Sequence, residues 1–208
     1  MTITFTVPAR NLSAAIKAVT PLAAPPASDT PVLGYVQFRV TADGLTLLAT
    51  DRHVAGMAFV PLIVGSDDAT FLLRATDVKA VKIPAGVTAV TFTVHGDDTV
   101  GLTYGDGTSM TFVQGDQAYP EVVSGIIRDA AYPSDPEAGE SAPLDVAKLA
   151  QFVACAKAYK SLDKHLRCVA RPGASSKKPS SVIVEGHFAG AIMPIQMERE
   201  AVAPVWLA

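Results

Sequence analysis

Strict alternation of polar and apolar residues is the feature that most constrains how this chain can fold. Residues 2–7 alternate threonine with an apolar residue, and the same period of two recurs at residues 36–41 and 90–94. Successive side chains point to opposite faces only in a strand, so each segment predicts a strand with one buried and one solvated side. Residues 105–107, Gly-Asp-Gly, predict a hairpin turn. The pattern therefore favours antiparallel sheets with one face in water.

Three segments have the periodicity of a helix instead, at residues 9–19, 76–82 and 145–160. In the first and third, apolar residues at positions i, i+3, i+4 and i+7 form a stripe that we expect to be buried. The stripes are Leu12, Ala15, Ile16 and Val19, and Leu149, Phe152, Val153 and Ala156. Thr76 is the predicted N-cap of the middle helix. Because helices are few and do not alternate with strands, the chain predicts an α+β architecture and not a doubly wound parallel sheet.

The chain is expected to divide near residue 120. Residues 129–143 are rich in Pro, Glu, Asp, Ser and Ala, which predicts a linker or a long surface loop. The predicted strands after the last helix are residues 166–170, 181–185 and 189–195. We expect a first domain with two helices over residues 1–120 and a smaller one with a single helix over residues 121–208.

Composition and cysteine use indicate a cytoplasmic globular protein. Hydrophobic residues make up 49% of the chain and charged residues 18%, which excludes the composition of a disordered segment. No apolar run is long enough to span a bilayer, and the N-terminus lacks the basic and apolar regions of a signal peptide. The two cysteines, Cys155 and Cys168, form no CxxC pair and favour a reducing compartment.

Motifs of catalysis and metal binding are missing from the sequence. It contains no P-loop, GxGxxG, HExxH or nucleophile motif, and His95, His165 and His187 lack the spacing of metal ligands. The segment Thr50-Asp51-Arg52-His53 has an ordinary interpretation, because an aspartate after a strand commonly caps a turn. The sequence therefore predicts a protein that is not an enzyme and needs no cofactor or metal.

Charge is segregated along the chain. The net charge of −3 argues against a simple basic nucleic-acid binder, because phosphate affinity comes mainly from Lys and Arg. The predicted helices and their flanks nevertheless carry Arg10, Lys17, Arg74, Lys79, Lys82, Lys148, Lys157 and Lys160. Their acids, Asp77 and Asp145, stand near N-termini, where the helix dipole favours them. If the helices share one side, that side is positive; lysine on an exposed helix is also ordinary surface.

Three short motifs resemble those of a known family. Residues 47–55 (LLATDRHVA) resemble the "TD-x-x-R/H" strand end of the bacterial β clamp. Residues 115–122 (GDQAYPEV) resemble its "G-x-F/Y-P-D-Y/V" passage between domains, and residues 192–195 (IMPI) resemble its "MP" strand. They occur in the family's order. The chain thus resembles the DNA sliding-clamp superfamily, as a shortened relative of the DNA polymerase III β subunit.

The resemblance implies a fold, partners and sites. It implies antiparallel sheets outside, with few helices that line one face, and a homo-oligomer whose helix cations meet duplex DNA without reading its sequence. It also implies a hydrophobic groove that receives short peptides of the DNA polymerase and the clamp loader. The residues that would form this groove are Thr50, Asp51, Arg52, His53, Pro120, Ile192, Met193, Pro194 and Ile195.

The chain also departs from the family. It has the length of about one and a half clamp domains, where clamp rings contain six. Two hypotheses follow: a processivity factor that encircles DNA, or a non-encircling module that regulates or caps a host clamp. Arg52 stands where the family often has Gly, and Gln196 where it often has a basic residue. The small size and the Ala-, Val- and Pro-rich composition suggest a phage or other mobile-element version. The Pro-Val-Trp-Leu tail at residues 204–207 has a composition suited to a neighbouring groove.

Overall fold

The computed structural model describes residues 2–65, 67–131, 144–162, 167–171, 173 and 178–194. The helices in these ranges are α1 (Ala9–Val19), α2 (Ala75–Ala80), α3 (Val122–Ala131) and α4 (Val146–Tyr159). The strands are β1 (Ile3–Pro8), β2 (Tyr35–Thr41), β3 (Gly44–Thr50), β4 (Val54–Val60), β5 (Ala69–Arg74), β6 (Ala89–Val94), β7 (Thr99–Tyr104), β8 (Ser109–Val113), β9 (Cys168–Arg171), β10 (Ser180–Val184) and β11 (Phe188–Ile192).

The strands form two antiparallel sheets. One sheet has the order β1-β6-β7-β8, and the other has the order β5-β2-β3-β4-β11-β10-β9. The alternating segments of the sequence become β1, β2 and β6, and their apolar residues face a shared core. The α+β class and the antiparallel pairing are therefore confirmed. No helix in the described ranges is long and apolar enough to cross a membrane.

One order of elements repeats along the chain. A strand, a helix and three strands occur as β1-α1-β2-β3-β4 and again as β5-α2-β6-β7-β8. The leading strand of each repeat pairs in the sheet of the other, because β1 pairs with β6 and β5 pairs with β2. Phe5 stacks on Phe92 at 5.0 Å between ring centroids, and Phe38 stacks on Phe71 at 5.1 Å. The exchange of strands locks both repeats around one aromatic core.

The helix and three strands of this order recur after the second repeat, without a leading strand among the described residues. Helix α4 is followed by β9, β10 and β11, and β11 pairs with β4 so that the larger sheet continues. Helix α4 packs on α1, where the Cys155 thiol donates to the Ala18 carbonyl at 2.9 Å. The expected division near residue 120 stays a prediction, and this sheet runs across it.

Helix α3 lies on the opposite face of the larger sheet. Val123 and Ile127 pack there against Leu48, Leu72 and Tyr119, in a cluster separate from the main core. The sequence-based expectation of three helices missed this one. Valine, isoleucine and glycine are weak helix formers, so the local sequence did not predict a helix here. Packing on the sheet stabilises it instead.

The other two corrections concern helix detail. Helix α2 begins at Ala75, and the Thr76 hydroxyl donates to the Asp77 carboxylate at 3.2 Å instead of capping the helix. In α4 the buried side chains are Phe152, Cys155 and Tyr159. The predicted stripe is wrong for Leu149 and Val153, which are 39% and 50% exposed.

Several predictions fall outside the described residues. The linker predicted at residues 129–143 is wrong for its first three residues, which end α3, and the rest of it lies in this group. Residues 163–166, and everything from Ile195 to the tail at 204–207, also belong to it. The three expected strands of the last part are confirmed within what is described, at Cys168–Arg171, Ser180–Val184 and Phe188–Ile192.

Candidate partner and nucleic-acid interfaces

The turn between β3 and β4 is held by its own polar side chains. Asp51 Oδ1 accepts the backbone N–H groups of His53 and Val54, both at 2.9 Å. The Thr50 hydroxyl donates to the Val54 carbonyl at 2.7 Å and accepts the Arg52 N–H at 3.2 Å. The expectation that Asp51 caps a turn is confirmed. These bonds fix the turn backbone, which presents Arg52 and His53 to solvent.

Two other segments reach this turn from far along the chain. The Met193 N–H donates to the His53 carbonyl at 2.8 Å, which extends the β4–β11 pairing past the end of β11. Tyr119 is buried on the α3 face of the sheet, beside the backbone of Thr50. Burial raises the pKa of the Tyr119 hydroxyl, and the Thr50 backbone opposes part of that rise. The structure thus brings together the turn, the segment before α3 and the end of β11.

Accessibility divides the predicted groove residues into two groups. The accessible or partly accessible members are Arg52, His53, Pro120, Met193 and Pro194, and the Asp51 side chain is only 11% exposed. Thr50 and Ile192 are only 4% and 1% exposed. Thr50 is turned into the hydrogen bonds of its own loop, and Ile192 points into the main core. Neither side chain can form the wall of a groove, which corrects the expectation for both.

Arg52 has a backbone conformation that glycine favours. Its φ is 81°, in the left-handed region where a side chain is disfavoured. Arg52 therefore keeps the turn geometry that a glycine would adopt with less strain. Its guanidinium lies 3.3 Å from the Asp29 carboxylate, and both side chains are more than half exposed. Sequence spacing gave no signal for this ion pair, because Asp29 lies in an irregular segment.

Asp51 also connects the turn to helix α4. Its second carboxylate oxygen, Oδ2, pairs with the Lys148 ammonium, and both side chains are mostly buried. The Lys148 charge is therefore engaged inside the protein, unlike the exposed cations of the set predicted to face DNA. Lys148 acts here as a positioning residue for the turn, a role that its place in a helix did not predict.

The remaining cations of the set predicted to face DNA are exposed on or beside α1, α2 and α4. Both α2 and α4 contact α1, and all three lie on the core side of the larger sheet, opposite α3. The exposed cations on or next to these helices are Arg10, Lys17, Arg74, Lys79, Lys82, Lys157 and Lys160. Arg74 is partly engaged, because its guanidinium stands over the Tyr35 ring at 5.8 Å and donates to the Tyr35 hydroxyl.

The hairpin turns of the smaller sheet carry aspartates. The Thr99 hydroxyl donates to Asp97 at 2.6 Å, and the Thr108 N–H donates to Asp106 at 2.9 Å. These hydrogen bonds lower the pKa of both carboxyls, which stay ionised at neutral pH. The described part of the chain holds no group of three His, Cys, Asp or Glu residues able to bind a metal ion.

No family model and no curated protein matches the sequence. Among solved structures, the DNA polymerase III beta subunit from Thermotoga maritima matches with a TM-score of 0.71 at 12% identity, over 99% of this chain and 66% of that one. The sliding clamp from Bacillus subtilis matches with 0.69 at 11%, over 93% and 64%. A Pseudomonas aeruginosa sliding clamp bound to griselimycin matches with 0.66 at 12%, over 100% and 67%.

The chain has the sliding-clamp fold. It spans about two thirds of the length of the clamps it matches. The expectation of this fold, based on three short motifs, is confirmed. The first motif is the β3–β4 turn, the second leads into α3, and the third continues from β11. The first and third meet because β4 and β11 are neighbours in one sheet, and Tyr119 of the second is buried beside the Thr50 backbone.

Proposed function

We propose that this protein is a DNA sliding clamp, a processivity factor that tracks duplex DNA and tethers replication proteins. One observation carries the proposal. The protein has a clamp fold and a net charge of −3, yet exposed cations stand on α1 and on the two helices that contact it, α2 and α4. The acids of the smaller sheet lie in its turns, at Asp97 and Asp106. A positive helix face on an acidic protein attracts phosphates while the rest of the surface repels them.

The charge pattern favours binding that ignores sequence. Lysine and arginine contacts to phosphate release counterions and read no bases, so such contacts let a protein slide. Each phosphate that a cation neutralises adds about −0.9 to the slope of log K against log salt. With few cations exposed on the helices, we expect weak affinity, with a Kd of roughly 10⁻⁴ to 10⁻⁶ M at physiological salt.

A charge reversal with a matched control tests the DNA face. Lys17→Glu with Lys79→Glu changes α1 and α2, and Arg39→Glu with Arg128→Glu makes the same charge change on β2 and α3. All four side chains are exposed, so folding should be affected by less than about 0.5 kcal/mol per position. At low salt, where binding stays measurable, the first pair should weaken binding and reduce the salt slope by roughly 2, and the control pair should bind nearly as the parent does. Equal losses in both pairs would leave only a net-charge effect and overturn the proposed face.

Encirclement separates the two forms of the proposal. A homo-oligomeric ring that surrounds DNA stays on a closed circle and slides off a linearised one. A non-encircling module that regulates or caps a host clamp leaves both at the same rate. Retention on circular against linearised DNA after gel filtration therefore decides between them, and equal retention would exclude the ring.

The partner surface is proposed at the β3–β4 turn. Met193, Pro120 and Pro194 supply apolar surface, and Arg52 and His53 supply a polar rim. Methionine is flexible and repacks around different ligands, which suits a site that accepts several peptides. The proposed ligands are short linear peptides of the DNA polymerase and the clamp loader, with a Gln and two or three large apolar side chains.

A further inference from the structure

An open apolar groove lies between helix α4 and the strands that follow it. It measures about 400 Å³. Leu149, Val153 and Ala156 line it from the helix, and Cys168, Val182 and Val184 line it from β9 and β10. Lys157 and Lys160 stand on the same helix wall and are exposed. None of these residues belongs to the β3–β4 turn.

The groove contains an exposed apolar stripe of α4 whose counterpart in α1 is buried. Leu12 and Ile16 of α1 are 0% and 6% exposed, whereas Leu149 and Val153, at the same spacing in α4, are 39% and 50% exposed. A stripe of this kind is normally paired with a second apolar surface, because leaving large aliphatic side chains in water forgoes their burial energy. Helix α1 is covered by β4 and by α4, whereas the stripe of Leu149 and Val153 on α4 has no such cover among the described residues.

The first part of the chain shows how one unit of this kind is covered by another. Helix α1 with β2-β3-β4 is one helix-and-three-strand unit, and α2 with β6-β7-β8 is a second. The second covers the first: Phe38 of β2 meets Phe92 of β6 at 6.0 Å between ring centroids. The two units have the same order of elements and exchange their leading strands. One such unit is therefore the natural cover of another.

The third unit, α4 with β9-β10-β11, has no such cover among the described residues. Its strand β9 corresponds to β2 in chain order, and Cys168 and Ala170 of β9 face the groove. Strand β2 is flanked by β5, whereas β9 is the last strand of the described sheet, and all four of its residues are exposed. An apolar groove beside a strand edge that no described strand pairs with is a surface for association.

We propose that the groove is an interface with a second copy of this chain, whose own α4 unit covers it. Two identical units around a twofold axis would present the same surface to each other and build one composite clamp domain. Such an interface is self-complementary because each copy has both the stripe and the strand face, which the described residues leave uncovered. It adds a defined interface to the homo-oligomer of the proposed function. Its tests use neither DNA nor peptide, so its failure is distinguishable from failure of DNA binding.

The two cysteines provide a local readout. Cys168 is exposed in the groove, and Cys155 is buried on the other side of α4 against the Ala18 carbonyl. Burial raises the pKa of Cys155 to about 12, so its thiol is almost unreactive at pH 8. Cys155 is therefore the internal control that should stay unlabelled while the protein is folded. Iodoacetamide labelling of Cys168, read by mass spectrometry, then reports whether the groove is covered. Sedimentation of the same samples reports the mass.

If the groove is the interface, the association of two chains and the protection of Cys168 should occur together. As the protein concentration rises from about 1 to 200 µM, a species with twice the mass of one chain should appear and Cys168 labelling should slow at least tenfold. Val153→Glu should abolish both effects, because it buries a charge in the interface. Val122→Glu, the same change at an exposed helix position on α3 outside the groove, should leave both unchanged.

Three results would overturn the proposal. If Cys168 is protected from labelling while the protein is a monomer, the groove is covered by the same chain. Cys168 that labels rapidly in an oligomer shows that the copies meet elsewhere. A monomer with a reactive Cys168 at every concentration shows that no copy binds. If Val153→Glu fails to fold by circular dichroism, the parent's labelling and mass decide the matter without it.

Discussion

Gly190 of β11 pairs with Gly56 of β4 at the seam where the last strands join the larger sheet. Neither position has room for a side chain. A Cβ on Gly190 would overlap the Phe152 ring and lie 3.0 Å from the Phe188 ring, and a Cβ on Gly56 would overlap Leu22. The glycine pair thus lets three large side chains approach the backbone, which ties α4 and β11 to the first part of the chain.

The first prediction concerns this seam. Gly190→Ala should destabilise the protein by roughly 1–3 kcal/mol, because a methyl group there overpacks the core. Gly125→Ala is the matched control: nothing lies within 4 Å of its Cβ position in α3, so it should stabilise by about 0.5–1 kcal/mol. Urea denaturation followed by circular dichroism measures both. A neutral Gly190→Ala would show that Phe152 can move away.

The second prediction concerns the carboxylate that links the turn to α4. Asp51→Ala should cost about 2 kcal/mol, because two backbone N–H groups lose their acceptor and Lys148 loses its partner. Asp51→Asn keeps an acceptor and should cost less. The double-mutant cycle with Lys148→Met should give a coupling energy of about 0.5–1 kcal/mol. A coupling energy near zero would mean that the ion pair contributes nothing to stability.

The third prediction concerns the strained residue of the same turn. Arg52→Gly should stabilise the protein by roughly 0.5–1 kcal/mol, because glycine adopts a φ of 81° without steric cost. Arg52→Ala keeps the strain and loses only the exposed ion pair to Asp29, so it should change stability by less than about 1 kcal/mol. Thermal melts compare the two. A lower melting temperature for the glycine variant than for alanine would contradict a strained turn.

The fourth prediction concerns the proposed peptide site. A labelled peptide with a Gln and two large apolar side chains should bind with a micromolar Kd, because ordering a short peptide offsets much of its contact energy. Met193→Ala should weaken binding roughly three- to tenfold, the equivalent of about 1 kcal/mol. Val113→Ala, at a residue 74% exposed on β8, should have no effect. Fluorescence anisotropy gives the Kd values, and equal affinities for parent and Met193→Ala would remove Met193 from the site.

Much of the first part of the fold was predictable because its signals are local. Alternation of polar with apolar residues marked β1, β2 and β6, and the stripe from Leu12 to Val19 marked α1. These patterns work because the period of side chains along a strand or helix depends only on neighbouring residues. Helix α3 was missed for the same reason. Its valines, isoleucines and Gly125 have weak helix propensity, and its stability comes from a sheet face assembled from distant strands.

The site was predictable only as separate pieces. Sequence motifs marked the turn at residues 50–54, the segment around Pro120 and the strand end at Met193. That they meet depends on the pairing of β4 with β11, and that Thr50 and Ile192 are buried depends on which sheet face each occupies. The sequence by itself determined the alternating strands, the turn that Asp51 caps and the helical spacing of the apolar residues in α4. Only the tertiary structure decided that Leu149 and Val153 are exposed. Burial depends on surfaces that distant segments of the chain form, and no local pattern encodes them.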